Sequence, residues 1–406
     1  MRRNCAAAPG PKHDPRTDDR KRIPLRTWIE IDTDALTENY RTACALTQAK
    51  VTCVLKSNAY GHGAVAVARL LREAGCRSFA VSCVREALEL RAAGIRDEIL
   101  VMTPADPDEV REAVANGLLL TAVCAEDLTA ADAAASALGG MAHLMIKLDT
   151  GFHRLGFPCT PEAADSLAAL LPALTHVSAD GLYSHLGLVT RERDERQYAL
   201  FIRMRDLLAE RGIRPADLSL CDSIGLVRYP DRHLSRCRVG AFLYGVRPSR
   251  SEHLPFRCAE TLTFRSRVLQ VRDVDAGETV GYDETPLEKP LRIATVGAGY
   301  GDGYPRRLSN GIGKVLIRGR RAPVVGLVCM DQMMVDVSGI PDCAPGDTVT
   351  LLGGGISFGE FADWAGSNRN ECLAALSRRP VRVYLRGGRP IRIQDDLIPR
   401  MEDTVQ

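Results

Sequence analysis

From Trp28 to about Val246 the chain alternates short apolar runs with stretches whose apolar positions recur at helical spacing. Phe79-Ala-Val-Ser82 reads as a strand, and Val84 to Ala93 as a helix ended by Gly94. Ile99 to Met102 is the next strand, followed by a helix over Pro107 to Asn116. Further runs at Leu119 to Val123, Ala142 to Lys147 and Gly181 to Ser184 continue the series. Strands at this spacing, with helices between them, predict a parallel sheet, and so many consecutive units favour a closed (β/α)8 barrel over an open sheet. After about Ala259 the texture changes to short strands separated by Gly, Asp and Pro turns, among them Val268 to Arg272, Leu291 to Val296, Gly313 to Arg318, Pro323 to Val328, Met334 to Val337 and Thr348 to Leu352. The expected fold is therefore α/β, with a TIM-type barrel over 25–259 and a mostly β domain over 260–406.

At 406 residues the chain is long enough for two domains and a large core. Its near balance of charge, +2, points to no nucleic-acid partner and no strongly charged surface. Thirteen cysteines, scattered and with no C-x-x-C pair, argue against a disulfide framework or a zinc site and fit a reducing cytoplasm. No apolar run is long enough to span a membrane. Residues 1–24, rich in Arg, Lys, Asp and Pro and without an apolar core, read as a flexible tail rather than a secretory signal.

Candidate chemistry begins at Lys56, which follows the apolar run Val51-Thr-Cys-Val-Leu55 and opens Lys56-Ser-Asn-Ala-Tyr-Gly-His-Gly63. An amine at the mouth of a sheet, partly desolvated, loses its proton near neutral pH and condenses with an aldehyde cofactor. The glycines allow backbone and ligand to approach closely. By itself the same pattern also describes an ordinary solvated lysine at a strand end. Lys147, His185 and Asp222-Ser223 likewise lie just after apolar runs, where barrels place their chemistry.

The string at Lys56 resembles the pyridoxal-phosphate lysine motif of the alanine racemase family. Further motifs follow in that family's order: Arg26-Thr-Trp-Ile-Glu-Ile-Asp32, Lys147-Leu-Asp-Thr-Gly-Phe-His-Arg-Leu-Gly-Phe157, Ser184-His-Leu186, Arg238-Val-Gly-Ala-Phe-Leu-Tyr-Gly245, Gly299-Tyr-Gly-Asp-Gly-Tyr-Pro-Arg306 and Cys329-Met-Asp-Gln332. The resemblance extends from about Arg26 to about Arg392. It implies pyridoxal 5'-phosphate as cofactor and a homodimer with shared active sites, acting on small amino acids to supply D-amino acids for peptidoglycan precursors.

By this resemblance Lys56 carries the cofactor and serves as the base on the D-side, and Tyr300 is the base for the L-enantiomer, reaching the lysine of the other subunit. A phenol ionises near 10, so such a base needs positive charge nearby. Arg238 and His185 are the residues the family places near the cofactor ring, with Arg238 facing the pyridine nitrogen. Ser223, the amides of Gly240 and Ala241, and the Tyr60 hydroxyl match phosphate contacts. Arg154 matches the residue that bonds the cofactor's phenolic oxygen and the substrate carboxylate, and the Met330 amide meets that carboxylate across the dimer. Lys147 matches a lysine that is carbamylated in some members and then holds Arg154.

Three departures stand out. Asp222 replaces the usual asparagine before Ser223, and Leu327 replaces an arginine common two residues before the Cys-Met-Asp string. Asn370 stands where alanine racemases usually have a tyrosine that crowds the substrate side chain. Asparagine is smaller and both donates and accepts hydrogen bonds, so a hydroxymethyl side chain is expected to fit beside it. The same replacement marks the serine/alanine racemase domains associated with vancomycin resistance, which Cys221-Asp-Ser-Ile-Gly-Leu-Val-Arg-Tyr-Pro230 and Tyr244-Gly-Val246 also resemble. Their membrane-spanning half has no counterpart here, so a soluble enzyme is expected. The competing expectations are a strict alanine racemase, a pyridoxal-phosphate decarboxylase of basic amino acids, and a non-catalytic cofactor-binding protein.

Overall fold

The computed structural model describes residues 25–247, 255, 258–398 and the backbone of 403–404; the tail expected over 1–24 lies outside the described residues. Eight parallel strands, Lys50–Val54, Ser78–Val81, Glu98–Val101, Leu119–Ala122, Ala142–Asp149, Val177–Tyr183, Asp217–Ser219 and Arg236–Val239, pair in chain order. The last pairs with the first in the register Arg236 to Lys50, closing the barrel. Phe79, Val81, Ile99 and Val101 are fully buried, as strands covered on both faces require. Helices return along the outside, several with side-chain caps: Asp32 accepts the Asp34 and Ala35 amides ahead of Thr33–Ala45, and Thr160 and Thr190 do the same for Pro161–Leu170 and Arg191–Glu210. The helix expected from Pro107 begins only at Val110, because 107–109 form a separate turn in which the Glu109 amide bonds the Asp106 carbonyl.

The amino-terminal end of the barrel is plugged by Arg236, which has no exposed surface. Its guanidinium bridges Glu98 and Asp217 and also donates to the hydroxyls of Thr52 and Ser78. Five strands or strand ends are thereby tied to one cation.

The second domain is built on a ten-stranded sheet, and here one expectation fails. The opening strand Thr27–Asp32, assigned by sequence to the barrel unit at 25–259, lies in this sheet instead. It pairs antiparallel with Leu262–Val274 and parallel with Val381–Arg386. Around the closed barrel each of the eight strands already has two neighbours, which leaves no edge for a strand of this length, although the two-residue Phe157–Pro158 adds beside the end of Ala142–Asp149. Trp28, Ile29 and Ile31 need cover on both faces of a strand, and the second sheet supplies it. Two short helices not anticipated from the sequence, Phe358–Trp364 and Arg369–Ala374, bring the end of this domain back to the barrel mouth.

The segment Lys56–Tyr60 is a left-handed turn, with φ near 53° at Ser57, Asn58, Ala59 and Tyr60. Each such residue costs roughly 1–2 kcal/mol in an L-peptide, so the turn needs outside support. Glu86 accepts the Ser57 amide at 2.6 Å, and Asn58 Oδ1 accepts the Ala64 amide at 2.8 Å. From the second domain, Arg382 donates to the Gly61 carbonyl and Tyr384 to that of His62, each at 2.9 Å. Gly63 is required by this clamp, since a Cβ there would fall 2.1 Å from the Tyr384 hydroxyl.

Candidate active site

At the carboxyl ends of the barrel strands a cavity of about 340 Å³ opens. Lys56, Tyr60, Lys147, Arg154, His185, Ser223, Arg238, Gly240, Ala241 and Asn370, all singled out from the sequence, line it together. Barrel strands deliver several of them: Lys56 lies two residues beyond Lys50–Val54, Lys147 inside Ala142–Asp149, His185 just past Val177–Tyr183, and Arg238 within Arg236–Val239. Asn370 enters from the short helix Arg369–Ala374, whose amino end is capped by Asn368.

The cavity wall is strongly cationic. Lys56, Lys147, Arg154 and Arg238 face it, while Asp222 is the one acidic residue among the described lining. Burial lowers the Lys56 amine below its ordinary value, and the charge of Arg154 adds to this while Glu86 opposes it. Lys147 is lowered to about 8 by burial and by the charges of Arg154, Arg238 and Lys56. His185 is pulled down to about 4 by burial; Asp222 works against that and Arg238 reinforces it, so the imidazole is neutral at pH 7. Arg238 is buried with no carboxylate bonded to it among the described residues: it donates to Ser219 Oγ at 2.5 Å and the Ser184 carbonyl at 2.6 Å, and its guanidinium carbon lies 5.2 Å from the centre of the Tyr183 ring. Arg154 is exposed at the mouth and stacks on Phe152, 4.5 Å from the ring centre.

This chemistry suits a dianionic phosphate ester that carries an aldehyde: several fixed cations, hydroxyls at one end and a desolvated amine at the other. Ser223 Oγ accepts the Gly240 and Phe242 amides at 3.0 and 3.2 Å, which leaves its own proton to donate into the cavity. Gly240 keeps the same end open, because a Cβ there would lie 2.8 Å from the Tyr60 hydroxyl and 3.2 Å from Val54 Cβ. Asp222 fits this end less well. Its Oδ1 is engaged as the cap of Ser223–Arg228, accepting the Ile224 and Gly225 amides, but its charge remains beside the Tyr60 hydroxyl, whose pKa is raised by burial and then by Asp222.

Tyr300 and Met330 do not line this cavity. They sit on the second domain, 43% and 53% exposed, on two loops that bond to each other. The Tyr300 amide donates to the Cys329 carbonyl at 3.0 Å and the Gly301 amide to that of Met330 at 2.8 Å.

Several lining residues escaped the sequence reading: Ser82, Met102, Thr103, Leu155 and Tyr183. Tyr183 is the most substantial. Its ring underlies both Lys147 and Arg238, each 5.2 Å from its centre, and its hydroxyl meets Thr121 Oγ1 and the Met102 carbonyl. It ends a strand one residue before Ser184, so the strand-end rule that found His185 reaches it too.

Residues 31–248 match the family model for the alanine racemase N-terminal domain, and residues 261–384 that for the alanine racemase C-terminal domain. The alanine racemase of Syntrophobacter fumaroxidans is 36% identical over 372 residues, spanning 89% of this chain and 98% of that protein. That of Symbiobacterium thermophilum is 37% identical over 374 residues, 88% and 97% of the two chains. Among solved structures, the alanine racemase of Clostridium difficile 630 superposes with a TM-score of 0.89 at 30% identity, over 93% of this chain and all of the other.

Proposed function

The chain belongs to the alanine racemase family, whose enzymes depend on pyridoxal 5'-phosphate, and from there we propose that it racemises serine as well as alanine, using Lys56 and Tyr300 as opposed bases. The observation that carries the reading is the convergence of Lys56, Lys147, Arg154, Arg238 and Asn370 on one cationic cavity.

The bound cofactor acidifies the α-hydrogen of the amino acid by drawing off the electron pair left behind. The protein must then move a proton on each face of that carbon. Lys56 holds the cofactor and works on the face of the D-enantiomer, its desolvated amine being easier to deprotonate than a free lysine. Tyr300 works on the opposite face. Because it stands outside its own chain's cavity, this role calls for a second copy that presents Tyr300 and the Met330 amide to Lys56. Arg238, whose guanidinium does not give up its proton, would face the cofactor ring as a donor and would disfavour protonation of its nitrogen. Ser223, Tyr60, Gly240 and Ala241 would hold the phosphate, and His185 would stand beside the ring as a neutral imidazole. Arg154 and the Met330 amide bind the substrate carboxylate, and Asn370 leaves room for, and a partner to, a side-chain hydroxyl. A role in supplying D-amino acids for peptidoglycan precursors, in the cytoplasm, accords with this chemistry.

Racemisation of L-alanine and L-serine by the cofactor-loaded protein, compared as kcat/KM, tests the substrate claim. Comparable values support it; serine slower by about a hundredfold or more leaves a strict alanine racemase. Shared sites are tested by mixing Lys56→Ala and Tyr300→Phe subunits. Each is expected to be inactive alone, and random mixing restores one intact site per hybrid dimer, about a quarter of wild-type activity. No recovery in a dimer proven to contain both subunits removes the shared site.

A further inference from the structure

Asp302 belongs to the loop of Tyr300 and Asp331 to the loop of Met330, and a single guanidinium joins them. Arg379 Nε and Nη2 bond the two carboxylate oxygens of Asp302 at 2.7 and 2.8 Å, and Nη1 bonds Asp331 at 2.7 Å. The Asp302 carboxylate is nearly inaccessible and accepts the Gly299 amide at 3.0 Å, so the same group also fixes the backbone just before Tyr300. Arg26, on the chain leading into the first strand, adds a second fastening: it donates to the Gly297 carbonyl at 3.2 Å and to the Asp331 carbonyl at 2.9 Å. Arg379 thus pairs with both carboxylates, and Arg26 fastens the backbone at Gly297 and Asp331. A void of about 290 Å³ borders Arg26, Asp302, Asp331 and Arg379, so on this side apolar packing does not hold the loops. A bidentate, charge-assisted pair with one partner buried defines distance and angle together, which suits a support that must hold a base in register.

We propose that Arg379 is a positioning residue that locks the Tyr300 loop and the Met330 loop into one rigid unit. The inference rests on the reading of Tyr300 as the base for the L-enantiomer. Loss of the lock lets the phenol drift, and only proton transfer on the Tyr300 face slows.

The test uses the cofactor-loaded enzyme with Arg379→Lys and Arg379→Ala, and alanine carrying deuterium at Cα. Both variants are expected to lose about tenfold or more in kcat/KM. The primary isotope effect should rise for the L-to-D direction and fall for D-to-L, because removal of hydrogen by Tyr300 becomes more limiting and removal by Lys56 less so. Added guanidinium ion should recover part of the Arg379→Ala rate. Amide hydrogen exchange, which needs no turnover, should accelerate over 299–304. Isotope effects unchanged in both directions, whatever the rate, overturn the proposal, and so does unchanged exchange in a folded Arg379→Lys protein. Tyr300→Phe measured alongside separates the two ideas. Wild-type turnover in that variant removes Tyr300 as a base, whereas its inactivity beside an Arg379→Lys enzyme of wild-type behaviour removes only the lock.

Discussion

Arg382, fully buried in the second domain, donates its Nε to the carbonyl of Gly61 at 2.9 Å, five residues past Lys56. The rest of its guanidinium bonds the carbonyls of Pro380 and Ser377 and the Asp396 carboxylate. The left-handed turn that aims Lys56 is therefore held by a strand more than three hundred residues away in sequence.

Replacing Arg382 with methionine removes that clamp and leaves several buried acceptors unpaired. It is expected to lower unfolding stability by roughly 3 kcal/mol and to weaken cofactor binding. Arg382→Lys keeps the charge without the planar fork and should lose less. Urea unfolding together with cofactor titration checks both; unchanged cofactor affinity in a destabilised Arg382→Met protein would separate the clamp from the site.

Asn370 is expected to set the tolerance for a hydroxyl. Asn370→Tyr should cut serine turnover at least about tenfold more than alanine turnover, since one well-placed hydrogen bond and the space for a hydroxymethyl are lost together. Equal losses on the two substrates would remove Asn370 from the specificity argument.

Asp222 sets its charge at the phosphate end of a cavity that otherwise favours anions. Asp222→Asn retains the oxygen that caps Ser223–Arg228 and deletes the charge. Cofactor affinity is expected to rise a few-fold, equivalent to about 1 kcal/mol of relieved repulsion. Equilibrium dialysis of the cofactor gives the answer directly, and weaker binding by the asparagine variant would contradict it.

Lys147, lowered to about 8, has a substantial neutral fraction near physiological pH, and a neutral amine is the form that adds carbon dioxide. The expected product is a carbamate that pairs with Arg154, formed to a greater extent as pH rises through 8 at fixed carbon dioxide pressure. Holoenzyme equilibrated with 13C-bicarbonate should then show a carbamate carbon resonance that Lys147→Ala lacks. A spectrum identical for the two proteins would leave Lys147 unmodified.

Acid should attack the barrel floor. Burial alone would raise the Glu98 carboxyl, but the Arg236 guanidinium overrides it and holds the group at about 2, below its ordinary 4.5. A depressed carboxylate contributes stability that is full above pH 4.5 and lost as pH falls through 2. The stability of Glu98→Gln should therefore depend less steeply on pH between 4.5 and 2, as read from urea midpoints in that window.

What the sequence determined by itself was local or periodic. Alternation of apolar runs with helical spacing disclosed the barrel, because strands buried on both faces have nothing to be but apolar. Part of the cavity was legible from chain position: Lys56, His185 and Ser223 follow strands within a few residues and Lys147 lies near the end of one, whereas Tyr60, Arg154, Arg238, Gly240, Ala241 and Asn370 were read from their resemblance to the family's motifs. Tertiary structure decided what depends on distant partners. Thr27–Asp32 has the pattern of any buried strand, and only a closed barrel with no free edge sends it to the second sheet. The left-handed turn after Lys56 is unfavourable for Ser57, Asn58, Ala59 and Tyr60 taken alone, and exists because Glu86, Arg382 and Tyr384 hold it. Tyr300 was found as part of a motif, but its exclusion from its own chain's cavity follows from packing in three dimensions, which no periodicity records.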